Sequence, residues 1–219
     1  MMRRAAFVAL TLVACWAAPA AAQYGLPSYA AAVPSDRPLS DTDRARDLMN
    51  QYGICVVKQH FAGVKRALSL QDDRALDNAL IKLATDDCLV SGELKMSEPL
   101  FRGAVYRAVY VRDFGTKSAQ ALEPVNNPRV KATDAGPAAN FGDCVARLSP
   151  VAARDLVLAN PATPQEEGAI AALRPALGDC LPPKQQVRFT PWGLQATLAE
   201  ALYKRTVALM ETSNGSGGQ

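Results

Sequence analysis

Two stretches of this chain read as versions of each other, and this constrains the fold more than any other feature. Tyr52-Gly53-Ile54-Cys55-Val56 returns as Phe141-Gly142-Asp143-Cys144-Val145, and Asp87-Cys88-Leu89 returns as Asp179-Cys180-Leu181. Between them, an Arg-x-Leu step from Arg66 to Leu68 matches Arg154 to Leu156, and Ala79-Leu80-Ile81 matches Ala171-Ala172-Leu173. Beyond the second cysteine, Ser97 and Ala108-Val109-Tyr110 meet Thr190 and Ala201-Leu202-Tyr203. The offset is 89 residues at the first cysteine and 93 in the closing segment, a drift that small loop insertions explain. A long period with only two copies predicts a duplicated small unit rather than a solenoid.

The first 22 residues read as an export signal. Arg3 and Arg4 supply the positive start, residues 5–16 an apolar run, and Ala20-Ala21-Ala22 a small-residue cleavage site after the helix-breaking Pro19. That run is shorter than the roughly 20 apolar residues that span a bilayer. The expected mature chain therefore begins at Gln23 and carries no transmembrane span, which places it in the periplasm or outside the cell. A rival cut lies at Leu12-Val13-Ala14-Cys15, which resembles a bacterial lipobox and would leave a lipid anchor on Cys15. Losing Arg3 and Arg4 leaves 22 basic against 21 acidic residues. With that balance, and no basic face interleaved with aromatics, nucleic acid is not an expected partner.

Four cysteines then remain, two per copy. An even count in an oxidising compartment points to disulfides, and four cysteines allow three connectivities. The duplication chooses among them: if each copy is self-sufficient, Cys55 pairs with Cys88 and Cys144 with Cys180. These bridges close loops of 34 and 37 residues counting both ends, worth about 4 kcal/mol each in the chain-entropy model. A helical unit of about 70 residues rarely secures more than about 3–5 kcal/mol from its core, so the bridges matter. A zinc site has little to stand on, because there is no Cys-x-x-Cys pair and His60 is the only histidine.

Periodicity makes the fold all-α: two tandem, related, disulfide-clamped units of three or four helices, over residues 41–114 and 138–212. A leader covers 23–40, a linker 115–137, and a Gly- and Ser-rich flexible tail 213–219. In the first helix, 40–59, an apolar stripe runs through Ala45, Leu48, Met49, Tyr52, Cys55 and Val56, matched by Phe141, Cys144, Val145 and Leu148. Gly53 and Gly142 fall at matching places inside these helices. Their cost of about 1 kcal/mol relative to alanine implies a close helix contact near each bridge. Shorter helices are expected at 62–68 and 151–158. A second helix is expected over 69–83, with Leu70, Leu76, Leu80 and Leu83. Its counterpart opens on the capping box Thr163-Pro164-Gln165-Glu166 and should end or kink at Pro175. The third segment, 104–111, is rich in strand formers. Its counterpart, 197–204, reads as helix by propensity and period, so shared ancestry makes both helical.

No catalytic, cofactor-binding or metal-ligating set emerges. His60 lies at the expected end of the first helix, where a cation suits the dipole. The adjacent carboxylates Asp72-Asp73, Asp86-Asp87 and Glu166-Glu167 belong to helix starts and turns, and neighbours on a helix do not face one another. Arg102 and Arg107 stand out because their counterparts are Gln195 and Glu200. A duplicated unit that diverges in charge can have specialised a surface, and Trp192 is a further candidate for that possible interaction surface.

Gly-x-Cys-Val, Arg-x-Leu, Asp-Cys-Leu and a closing Ala-x-Tyr helix, in two copies behind a signal-like segment, resemble uncharacterised secreted bacterial proteins with a duplicated two-cysteine helical repeat. The resemblance covers most of residues 41–209 and implies compartment and repeat structure, with no activity or site residues to carry over. The expected function is a structural or protein-interaction module of the cell envelope, whose partner is a protein or other envelope component. The rivals are an enzyme acting on cell-wall polymer with carboxylates drawn from both copies, and a binder of small apolar ligands.

Overall fold

A computed structural model of the chain describes residues 38–89, 95–116, 136–181 and 189–215, the last four by backbone alone. The signal-like segment, Cys15, residues 23–37 of the leader, 117–135 of the linker and 216–219 of the tail lie outside the described residues. The described residues form seven α-helices, one 3₁₀ turn and no strand. The first half holds α1 (Asp41–Leu68), α2 (Asp73–Ile81), a 3₁₀ turn at Asp86–Cys88 and α3 (Glu98–Phe114). The second holds α4 (Pro137–Leu148), α5 (Pro150–Leu158), α6 (Pro164–Asp179) and α7 (Pro191–Gly215).

Each half closes on its own bridge. Cys55 in α1 joins Cys88 in the 3₁₀ turn, and Cys144 in α4 joins Cys180 at the end of α6, with Cα separations of 5.7 and 5.8 Å. Near the first bridge, the Tyr52 hydroxyl donates to the Thr85 carbonyl at 3.2 Å and accepts from the Thr85 amide at 3.1 Å. Phe141 occupies the matching place near the second bridge and, having no hydroxyl, stacks on Phe189 at 4.6 Å.

Helix α1 runs on to Leu68, nine residues past its expected end, with a kink at His60 (φ −120°, ψ 32°). Adding the offset of 89 leads to Ser149 (φ −140°, ψ 63°), where α4 stops and α5 begins. Pro150 makes that second break complete, since a proline there cannot donate to the preceding turn. The kink in α1 and the break between α4 and α5 thus fall at the same offset. His60 therefore sits at the break where the first helical segment ends and a second continues to Leu68. The break also leaves Leu148, expected to face inward, 58% exposed.

The glycines expected to mark close contacts do so. A Cβ on Gly53 would lie 2.7 Å from the carbonyl oxygen of Ala104 in α3, and one on Gly142 would lie 2.8 Å from Cγ2 of Thr197 in α7. Ala104 and Thr197 are themselves counterparts at the offset of 93. Lys65, twelve residues after Gly53, reaches Asp113 at 3.3 Å, so α1 and α3 run side by side in the same direction. The Arg-x-Leu register is corrected by one residue: Arg154 takes the place of Lys65, while Arg66 is exposed.

The halves do not stand apart on a linker; they share one core. Helix α3 packs on α7, and at their crossing Gly103 meets Ala196 so closely that any Cβ on Gly103 would overlap the Ala196 methyl. Further along, Tyr106 meets Tyr203 with ring centroids 5.5 Å apart, and Phe114 meets Tyr203 at 6.1 Å, so these two helices also run in parallel. Because α1, α5 and α7 all lie against α3, every residue from 103 to 111 is buried. A helix that is apolar all round belongs in a core. The strand-like composition of that stretch comes from being enclosed.

Elsewhere the stripes shift. Ala45 and Leu48 are exposed, and Arg46 and Asn50 take the buried face of α1 instead. Asp72 caps α2, which leaves Leu70 outside the helix and exposed. Helix α6 passes through Pro175 without ending, because Ala171, whose carbonyl loses its partner, is exposed where water can serve it. Helix α7 continues to Gly215, three residues past the expected end of the second unit at 212.

Two glycines in helices give a direct contrast. Gly103→Ala should destabilise the fold by about 1–3 kcal/mol through overpacking at the crossing, whereas Gly168→Ala, with nothing within 4 Å of the added Cβ, should stabilise it by about 0.5–1 kcal/mol. Urea denaturation of the two variants measures both. Equal effects would mean that the crossing is looser than described.

Candidate functional site

The divergent charges singled out in the sequence come together where the halves meet. Nη1 of Arg102 lies 3.3 Å from Asp77 and 3.6 Å from Asp73, both on α2, and its Nε lies 3.1 Å from Glu200 on α7. Lys204 reaches the same Glu200 carboxylate at 2.6 Å. One planar guanidinium thus ties carboxylates from both halves, a geometry that Lys could not supply. Burial disfavours the Arg102 charge, but Glu200, Asp77 and Asp73 outweigh burial and raise its pKa.

Arg107 and Gln195 are engaged in the same way. Arg107 Nη2 donates to the Ala159 carbonyl at 3.0 Å, and Gln195 Nε2 donates to Leu156 at 2.8 Å and Ala159 at 3.1 Å. These are carbonyls at the end of α5, which have no partner within their own helix and sit at the negative end of its dipole. The seam residues therefore cap a helix. Arg107 is buried, Arg102 is largely enclosed, and Trp192 is partly buried in the first turn of α7.

Matched cations cross the seam in both directions. Lys65 Nζ donates to the Tyr203 hydroxyl at 2.8 Å and stands 5.1 Å from the ring centroid. Its counterpart Arg154 donates to the Gly115 carbonyl at 3.0 Å, and its charge lies near enough to Tyr110, the counterpart of Tyr203, to oppose the effect of burial on that phenol. Burial alone would lower the Lys65 pKa; the Tyr203 hydroxyl and Asp113 overcome it and leave it raised.

Two further ion pairs, one buried and one part-buried, had no signal in the sequence. Arg46 of α1 is paired with Glu166 of α6, its Nη1 3.2 Å from Oε2, and both side chains are almost fully enclosed. Glu166 also accepts from the Ala162 amide at 2.9 Å, one residue before the expected capping position, where Ala162 turns through φ 57°. Thr163 accepts from the Glu166 amide at 3.3 Å, the other arm of the capping box. Arg205 of α7 pairs with Asp143 of α4 at 2.6 Å. Asp72 and Thr85 cap their helices, which accounts for one acidic doublet and places Asp86 and Asp87 in the 3₁₀ turn. Among the described residues, no three His, Cys, Asp or Glu side chains gather as a metal-ligand set, and no helix is long and apolar enough to cross a membrane. No protein-family model, curated protein or solved structure compared with the chain matches it.

The core tyrosines give the seam a pH signature. Burial, followed by the Glu200 charge, pushes the Tyr106 hydroxyl far above the ordinary tyrosine value. Burial also raises Tyr110, against the opposing influence of the Arg154 charge and of Thr206. The folded chain keeps both phenols protonated where the unfolded chain loses its protons. Their contribution to stability is therefore complete below a pH of about 10 and is lost as pH climbs from there towards the raised folded values. Denaturation midpoints should fall above that pH, and the Tyr106→Phe/Tyr110→Phe variant should fall less steeply. Parallel curves for the two proteins would remove the buried phenols as the cause.

Proposed function

We infer that this chain is an exported envelope protein, periplasmic or secreted, built by duplication of a disulfide-clamped helical unit, and that it works as a structural or protein-interaction module rather than as an enzyme. The observation that carries this reading is the engagement of its ionisable side chains with one another. Arg46 with Glu166, Arg102 with Asp77 and Glu200, Lys65 with Tyr203, and Arg205 with Asp143 all join one helix to another. Catalysis calls for titratable groups within reach of a reacting atom. Here they are within reach of each other.

Export is supported by the signal-like residues 1–22 and by two bridges of the kind that persist in oxidising compartments. The resemblance to secreted bacterial proteins with two-cysteine repeats points the same way. The rival enzyme reading keeps one observation in its favour: Asp77 and Glu200, from different halves, both touch Arg102. A glycosidase-type pair would need to flank a scissile bond, and the guanidinium occupies the space between these two.

Expression of the full chain in a Gram-negative host separates the readings. Periplasmic protein beginning at Gln23, with four blocked thiols and no turnover of cell-wall polymer, is the expected result. Retention in the cytoplasm with free thiols would contradict export. Polymer turnover abolished by Asp77→Asn or Glu200→Gln, with the melting curve intact, would establish the enzyme instead.

A further inference from the structure

The contacts between the halves obey a two-fold relation. Under the offset of 93, Gly103 and Ala196 are counterparts, and they touch each other. A position that meets its own counterpart lies on the axis of an isologous interface. Away from the axis, contacts of such an interface occur in reciprocal pairs, and those beside the crossing do, whereas the Arg46–Glu166 pair farther out has no counterpart. Lys65 donates to Tyr203, and the charge of its counterpart Arg154 stands beside Tyr110. Arg102 meets Glu200, and Gln195 converges with Arg107 on a single oxygen, that of Ala159. In each case, exchanging the halves turns one contact into the other.

We propose that the α3–α7 seam is a dimer interface folded into one chain, and that the partner it fits is a second copy of this chain, with α3 of one molecule lying on α7 of the other. The charges fix which halves pair. Two first halves would bring Arg102 and Arg107 against a second Arg102 and Arg107. Joining a first half to a second half instead places Arg102 on Glu200 and Arg107 beside the neutral Gln195. Like charges facing across an interface exclude the wrong pair.

The connection decides whether the pairing stays within one chain. Gly142 of α4 lies at Thr197, next to the crossing, whereas Arg154, twelve residues later, lies at Gly115 beyond the end of α3. The end of α3 and the start of α4 are therefore separated by at least the distance from the crossing to the end of α3. From Gly103 to Phe114 that is about 17 Å at 1.5 Å per helical residue. Residues 117–135 are ample for this, but a single remaining residue would reach only about 7 Å.

Deleting residues 117–134 from the full chain tests the proposal by light scattering and circular dichroism. The expected product has twice the mass of the full chain, an unchanged helical spectrum and both bridges within their own halves. A folded monomer of normal helicity would overturn the proposal. Because the shortened chain could instead fail to fold, a second form keeps the test decisive: the full chain with a protease site within 117–135, cut after folding. Its halves should elute together, part in mild denaturant, and on dilution re-form complexes holding one half of each kind. Halves that separate as folded monomers in buffer, or complexes of one half with itself, would overturn it.

Discussion

At the crossing of α3 and α7, Gly103 brings a bare backbone against Ala196, and the rest of the structure is arranged around that approach. Two parallel helices brought this close enclose everything along their shared edge. The stretch 103–111 is buried on all sides, and Tyr106, Tyr110, Phe114 and Tyr203 fill the seam beyond the glycine. Gly53 and Gly142 repeat the device one layer out, letting α1 approach α3 and α4 approach α7. Each lies two residues before a bridged cysteine, so the disulfides tie the 3₁₀ turn and the end of α6 to helices already held against the centre.

A core assembled this way must still satisfy the polar groups it encloses. Helix α5 ends against the seam, and its last carbonyls find Gln195 and Arg107. Arg46 enters the buried face of α1 because Glu166 of the other half is there to meet it. Buried pairs of this kind add little net stability against apolar replacements, yet removing one partner strands the other. Their effect here is to specify which surfaces meet. The divergence of Arg102 and Arg107 from Gln195 and Glu200 belongs to the same logic: identical halves would repel, and different ones complement each other.

Much of this was legible in the chain itself. The paired cysteines, the matching Gly-x-Cys steps and the helical reading of 104–111 all came from comparing one half with the other, since each half supplied the signal that its counterpart lacked. What escaped were features created only by the meeting of the halves. Arg46 and Glu166 are 120 residues apart, and no local pattern links them. Leu48 and Ala45 fit a helical stripe but lose the buried face to Arg46, a choice made by tertiary pairing. Arg102 and Arg107 stand out in the sequence but read there as an outward surface, because a difference in charge between matched positions looks the same in sequence whether it faces solvent or the other half. The small pair Gly103 and Ala196, sitting at matched positions, was the available clue to where the axis lies.

Native-state hydrogen exchange in low denaturant tests the shared core most directly. If one seam holds both halves, the slowest amides of α3 and α7 should open together, with the same free energy and the same denaturant slope, and that opening should be the global unfolding reaction. Two separate openings, with one half exchanging while the other stays protected, would contradict it.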